Sequence, residues 1–417
     1  MGLSIFAEAT FRDAAKRGRL LRASGKVLLI LDQKWILCRC ALEARFSHLI
    51  GTVGSGKKER MKGNCYRVHG MMQSYFTRKM TGYLDYKRIP WLFRRFAGNS
   101  PEAMAAGFAG GVPVVETPKG EFMWDSTAMI HHLELRFPQP SVLPDDPMQR
   151  FLCYVVEDAA DEWFYRPAVG TRWHFAENAG VGGFELARDI SIGLPVSCDQ
   201  AYAVVGAHVR SSCAPLGVTE DNIQLWVDEV LRPWMRVLGA HLALRPYLFG
   251  ARPSLADFAL FGGNAAHFVN DPLCRRWVDE DAPGVVQHTH RLFEPEDQDC
   301  GAWDDPGDVP ETLINLLAHL GNVYLPWVSR ACVDGIADVV FANGTCTPVR
   351  ATDFLREARA TLLARYCELR DARLDAVLER AGILPFFADW VAFAGSIPDV
   401  RNPPRPALNR PFPPARG

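Results

Sequence analysis

The chain has 417 residues, 48% hydrophobic and 23% charged, with a net charge of −2. This is long enough for two folded domains and too nearly neutral for general attraction to nucleic acid or an anionic membrane. The longest apolar run, residues 104–115, is too short for a membrane span, and eleven cysteines without a CxxC pair argue for a reducing compartment and against a disulfide scaffold or a dithiol oxidoreductase.

Residues 1–60 carry twelve Lys or Arg against five Asp or Glu, a surplus of +7 absent from the rest of the chain, and show no clean helical or alternating period. Several readings compete: an Arg-rich presequence, weakened by Glu8 and Asp13; a basic arm, disordered or bound to a membrane or partner; an upstream extension ahead of a natural start at Met61; and a real structural element. The stretch GTVGSGKK at 51–58 approaches a phosphate loop. Lys58 replaces the hydroxyl residue that would hold magnesium, and no apolar helix follows, so a plain turn is the better reading.

Between Cys65 and His132 the punctuation is that of a small α/β unit. Residues 65–69 alternate as a half-buried strand ending at Gly70. Ser74 stands where a helix N-cap belongs, and the helix runs to about Tyr86. A second extended segment begins at Ile89-Pro90-Trp91. Val112-Pro113 opens a third strand, where a proline must face an edge or a gap in the ladder. A cis bond there would leave the backbone N–H and C=O of Val112 free to pair with an extended ligand. Asp125-Ser126 starts another helix. A ligand carboxylate would suit its free N–H groups and the Ser126 hydroxyl, and a ligand ammonium would suit Asp125. The residues thus describe a pocket for a small anionic thiol compound, with simple capping as the plainer alternative for Ser74, Asp125 and Ser126.

The segment FPQPSVLPDDPMQR reads as a linker, and from Phe151 the chain is mainly helical. VVEDAADEWFYRP is a helical weave expected to end at Pro167. Residues 230–244 form a helix with Pro233 in its first turn. LFGARPSLADFALFG carries a capping box, Ser254 with Asp257. Beyond the acidic, turn-rich residues 294–310, helices are expected at 311–328 and 351–382, and a proline-rich end follows. Histidine spacings place no two imidazoles on one helical face, so no metal site is expected.

In this order the motifs resemble the glutathione transferase family, over roughly residues 64–292. The resemblance implies an α/β thioredoxin-like domain at 64–138, then an all-α helical domain with an extension at 146–395, mostly helical overall. Residues 1–60 would be a basic extension, and 402–417 a proline-rich tail. It implies glutathione as co-substrate. Val112, before cis Pro113, would pair with the cysteinyl backbone, and Asp125 and Ser126 would hold the γ-glutamyl end. Ser74, at the mouth of the first helix, would donate to the thiolate and lower the thiol pKa. Tyr75 replaces the usual proline, and Lys79 fills the basic position later in that helix. His69, Tyr66 and Tyr75 are weaker candidates for contact with the ligand. Met71, Met72, Tyr75, Trp163, Phe164, Tyr165, Arg172 and Trp173 are candidates for an apolar pocket, with Arg172 orienting an anionic co-substrate. The implied protein is a cytoplasmic homodimer, without nucleic acid or an integral membrane segment, that conjugates or otherwise transforms a small hydrophobic or aromatic electrophile. The alternatives are a noncatalytic binding or interaction protein on the same fold, and an enzyme using glutathione for reductive cleavage or isomerisation.

Overall fold

The computed structural model describes residues 21–23, 26–31, 34–39, 65–95, 111–192 and 195–394. The turn at 51–58, the start at Met61 and the proline-rich residues 402–417 lie outside them. In the basic segment, β1 (Leu21–Ala23), β2 (Lys26–Leu31) and β3 (Lys34–Arg39) form an antiparallel meander, hydrogen-bonded to no other strand among the described residues. The sequence shows no alternation there, because KVLLIL and KWILCR are near-continuous apolar runs.

The first domain is a four-stranded mixed sheet. β4 (Tyr66–Gly70) runs parallel to β5 (Trp91–Arg95), while β6 (Val114–Glu116) and β7 (Phe122–Trp124) complete the order β5-β4-β6-β7 with antiparallel pairings. β4 buries Tyr66, Val68 and Gly70 and leaves Arg67 and His69 half-buried, the alternation expected. Helix α1 (Tyr75–Tyr86) is N-capped by Ser74, and α2 (Ser126–Arg136) by Asp125. The parallel β4–β5 pair needs a crossover, which α1 supplies.

A largely helical region follows, so the thioredoxin-like and helical architecture expected from the sequence is present. α3 (Pro147–Ala159) passes through a π-type turn, Ala160–Phe164, into α4 (Tyr165–His174). The helix therefore does not end at Pro167. Pro233 stands in the first turn of α7 (Arg232–Leu242), as expected; a π-type turn, Trp226–Leu231, precedes that helix too, after α5 (Phe184–Ser191) and α6 (Cys198–Cys213). Proline lacks an N–H and crowds the carbonyl four residues back, and the wider turn gives room at that point.

α8 (Leu255–Gly263) lies against α1 so closely that a Cβ at Gly262 would stand 2.7 Å from the Tyr75 carbonyl oxygen. Its capping box is formed as expected. Asp257 accepts from Ser254 N (2.8 Å) and Oγ (2.6 Å), and its other oxygen accepts from Leu248 N (3.0 Å) and faces His288 Nε2 at 2.8 Å. α9 (Pro272–Asp281) and α10 (Pro283–Phe293) close this part.

The extension comprises α11 (Glu311–Leu320), α12 (Tyr324–Asp334), a hairpin of β8 (Ile336–Val340) and β9 (Cys346–Arg350), then α13 (Asp353–Leu369), α14 (Ala372–Arg380) and α15 (Pro385–Ala394). The long helix expected through 351–382 is two helices. Asp371 accepts from Leu374 N at 2.8 Å and starts a new N-terminus after extended Arg370. One hydrophobic cluster runs from Tyr66 in the sheet to Phe387 in α15, so the extension shares the main core.

Candidate functional site

The sheet register brings three chain segments to one end. His69 pairs with Val114, so the residues before Val114 lie beside the end of β4 and the loop leading to α1. Val114 also pairs with Trp124, so Asp125 emerges at the same end. The Val112–Pro113 peptide is cis. The helix start at Ser74, the Val112–Pro113 backbone and the helix start at Asp125–Ser126 therefore share one edge of the domain.

Ser74 is half-buried, and its Oγ accepts from Thr77 N at 3.4 Å. So long a bond is weak, and the hydroxyl proton remains to be donated. The loop before it is held from behind. Arg172 NH1 donates to the Gln73 carbonyl at 2.7 Å, Arg78 Nε donates to the Met72 carbonyl at 2.8 Å, and Gln73 Nε2 donates to Glu185 at 3.2 Å.

Asp125 has φ 71° and ψ 105°, a backbone conformation that side-chain-bearing residues rarely adopt. Its carboxylate accepts from Thr127 N at 3.1 Å and Ala128 N at 3.3 Å, which offsets part of the strain. Burial raises the Asp125 pKa, against those amides and the charge of Lys79. Ser126 is buried beside it, at the first turn of α2. Non-glycine strain at a helix N-terminus marks a point where backbone aim, not local stability, is specified.

On the same sheet, Glu116 accepts from Arg67 NH1 at 2.6 Å and faces His69 Nε2 at 3.2 Å. Its pKa is lowered, first by the His69 bond and then by the charge of Arg67, against burial. His69 thus belongs to a cross-strand polar cluster with Arg67 and Glu116.

The candidates for the apolar pocket are spread over the loop before Ser74, α1 and the path from α3 into α4, with the Tyr75 and Tyr165 rings 5.9 Å apart and Phe164 beside Trp163. Met71 is half-buried in the loop before Ser74. Tyr75 is buried under α8, and its hydroxyl donates to the Ala160 carbonyl at 2.8 Å. Burial holds the Tyr75 phenol protonated, well above its ordinary pKa, with Asp161 adding to the effect. Trp163 packs among Trp226, Tyr324 and Trp327 and borders a crevice with Glu229 and His319, on the side of the extension. Trp173 is buried against Tyr202. Arg172 is 1% exposed; besides Gln73 it binds Asp271 through Nε (2.9 Å) and donates to the Ala266 carbonyl.

One polar constellation escaped the sequence reading. Lys79, fully buried on α1, binds Thr127, Glu157 and Asp161. The four-residue spacing of Glu157 and Asp161 on a helix expected to be buried was the available signal, since two carboxylates on one buried face require a cation. Among the described residues no group of three His, Cys, Asp or Glu is placed to hold a metal ion, and no helix is long and apolar enough to cross a membrane.

The sequence model of the glutathione S-transferase N-terminal domain matches residues 68–141. Maleylacetoacetate isomerase of Pseudomonas aeruginosa is 25% identical over 179 residues, 42% of this chain and 67% of that protein. Among solved structures, the beta-etherase LigF of Sphingobium sp. strain SYK-6 is 19% identical with a TM-score of 0.39, over 56% of this chain and 96% of that one. FzlA from C. crescentus is 18% identical with a TM-score of 0.37, over 61% of this chain and 92% of that one. With the strand order and the two capped helices, the domain match gives residues 68–141 the fold of a glutathione S-transferase N-terminal domain.

Proposed function

We propose that the chain binds glutathione at the end of the first-domain sheet and uses its thiolate to conjugate, or otherwise transform, a small apolar electrophile. The observation that carries this reading is the convergence of Ser74, Val112–Pro113 and Asp125–Ser126 on one edge. The three stand in the order thiol end, peptide backbone, amino-acid end. Val112 offers its backbone to the cysteinyl residue, Asp125 takes the ligand ammonium, and Ser126 with the α2 N-terminus takes the carboxylate. Ser74 donates to the thiol end, and the α1 N-terminus adds its positive dipole, so the thiolate is favoured near neutral pH. Met71 stands at the mouth, toward the electrophile. The similarity to a maleylacetoacetate isomerase supports isomerisation of a conjugated substrate as one form of this chemistry. The reading includes a cytoplasmic homodimer.

A second reading is a glutathione-binding protein without turnover. The burial of Tyr75, Trp163, Arg172 and Trp173 in packed surroundings favours it, since these side chains offer the electrophile little free surface. Calorimetry with glutathione tests the part common to both. Ser126→Ala should weaken binding by about 1 kcal/mol, roughly fivefold, through loss of one hydrogen bond. Unchanged affinity would refute the placement. A turnover screen over varied electrophiles then separates enzyme from binder.

A further inference from the structure

Lys79 is a fully enclosed cation at the junction of the first domain with the helices. Its side chain is 0% exposed, and those of Glu157 and Asp161 are 6% and 10% exposed. Nζ donates to Glu157 Oε1 at 2.7 Å, Asp161 Oδ2 at 2.5 Å and Thr127 Oγ1 at 2.9 Å. The Thr127 hydroxyl in turn donates to Glu157, and the Thr127 amide donates to the Asp125 carboxylate. One ammonium thereby ties together α1, which begins at Ser74's cap, the first turn of α2, and α3 with its π-type turn. Burial alone would lower the Lys79 pKa; Asp161 and Glu157 outweigh it and hold the ammonium charged.

Apolar residues of similar volume often stabilise such a junction as well as a buried ion pair does. A buried charge that touches three elements specifies geometry that apolar contacts leave free. The element it reaches through Thr127 is the strained helix start at Asp125.

We propose that Lys79 is a positioning residue for the amino-acid end of the bound ligand, setting through Thr127 where Asp125 and Ser126 stand relative to Ser74. This rests on the glutathione reading above. Lys79 touches no ligand itself; it locks α2 against α1 and the helices, so that both ends of one tripeptide are met at once.

The test uses the full chain, glutathione as the probe, and two readouts: the dissociation constant by calorimetry, and the pKa of the bound thiol by thiolate absorbance. Lys79→Met should raise the dissociation constant about tenfold, and the milder Thr127→Val several-fold, as expected for one or two displaced hydrogen bonds. In both, the bound-thiol pKa should stay at its wild-type value, because Ser74 keeps its own cap. General disruption would move both readouts together and overturn the proposal, as would unchanged affinity in both variants. If Lys79→Met does not fold, Thr127→Val decides alone. Wild-type protein that binds no glutathione overturns the underlying reading as well; binding that Ser126→Ala weakens and neither variant affects overturns only the role of Lys79.

Discussion

Replacing Arg172 separates a structural tie from a substrate contact. The guanidinium reaches Asp271, the Gln73 carbonyl and the Ala266 carbonyl, and the Asp271 side chain is 0% exposed. In Arg172→Leu the carboxylate loses its cation, and breaking a buried pair costs roughly 3–5 kcal/mol. Two carbonyls lose donors, at about 1 kcal/mol each. The sum, about 5–7 kcal/mol, is a large part of the roughly 5–15 kcal/mol that holds a typical domain folded. Arg172→Lys keeps the charge, but one ammonium cannot span the carboxylate and both carbonyls, so a loss of about 2 kcal/mol is expected. His267 Nδ1 lies 3.7 Å from Asp271, and its pKa is held far below its ordinary value, by burial first and then by the Arg172 charge. In Arg172→Leu that second influence is gone, so His267 protonates more readily and the loss should shrink in mild acid. Urea unfolding followed by tryptophan fluorescence, at neutral and acid pH, measures each quantity. Stability within 1 kcal/mol of wild type for both variants, with a raised KM for the electrophile only, would refute the tie and return Arg172 to the substrate pocket.

Ser74→Ala should raise the thiol pKa of bound glutathione and lower turnover more than binding; an unmoved pKa in the thiolate absorbance titration would shift the role to a backbone N–H or to Tyr66. Burial raises the Asp158 pKa from 3.8 to about 6, against the Tyr324 hydrogen bond and the Arg359 charge. The folded state then holds a proton that the unfolded chain has released, so the contribution of Asp158 to stability is fully present below pH 3.8 and is lost as pH rises to about 6. Wild type should lose about 3 kcal/mol relative to Asp158→Asn over that range in urea titrations, and parallel pH profiles would sink the argument. Size exclusion with light scattering over a tenfold concentration range should show a dimer; a constant mass near 46.5 kDa would refute the homodimer.

What the sequence determined by itself is local. Ser74, Asp125 and the Ser254–Asp257 box announce helix starts because a cap is satisfied within three residues, and the alternation at residues 65–69 announces a strand because its period is two. Features of equal range were still missed: the Asn343-Gly344 turn of the β8–β9 hairpin, and the break at Asp371, which looked like one more polar position on a long helix. Tertiary structure decided the rest. Pro167 lies within a continuing helical path, α3 passing through a π-type turn into α4, which no proline announces, whereas Pro233 stands in the first turn of α7 as expected. Lys79 and Asp161 are 82 residues apart, and Arg172 and Asp271 are 99 apart. Each of these side chains read alone is an ordinary solvated charge. Only when the helices close over the sheet does the interior exclude water, and a buried charge must then be met by its opposite or be neutralised.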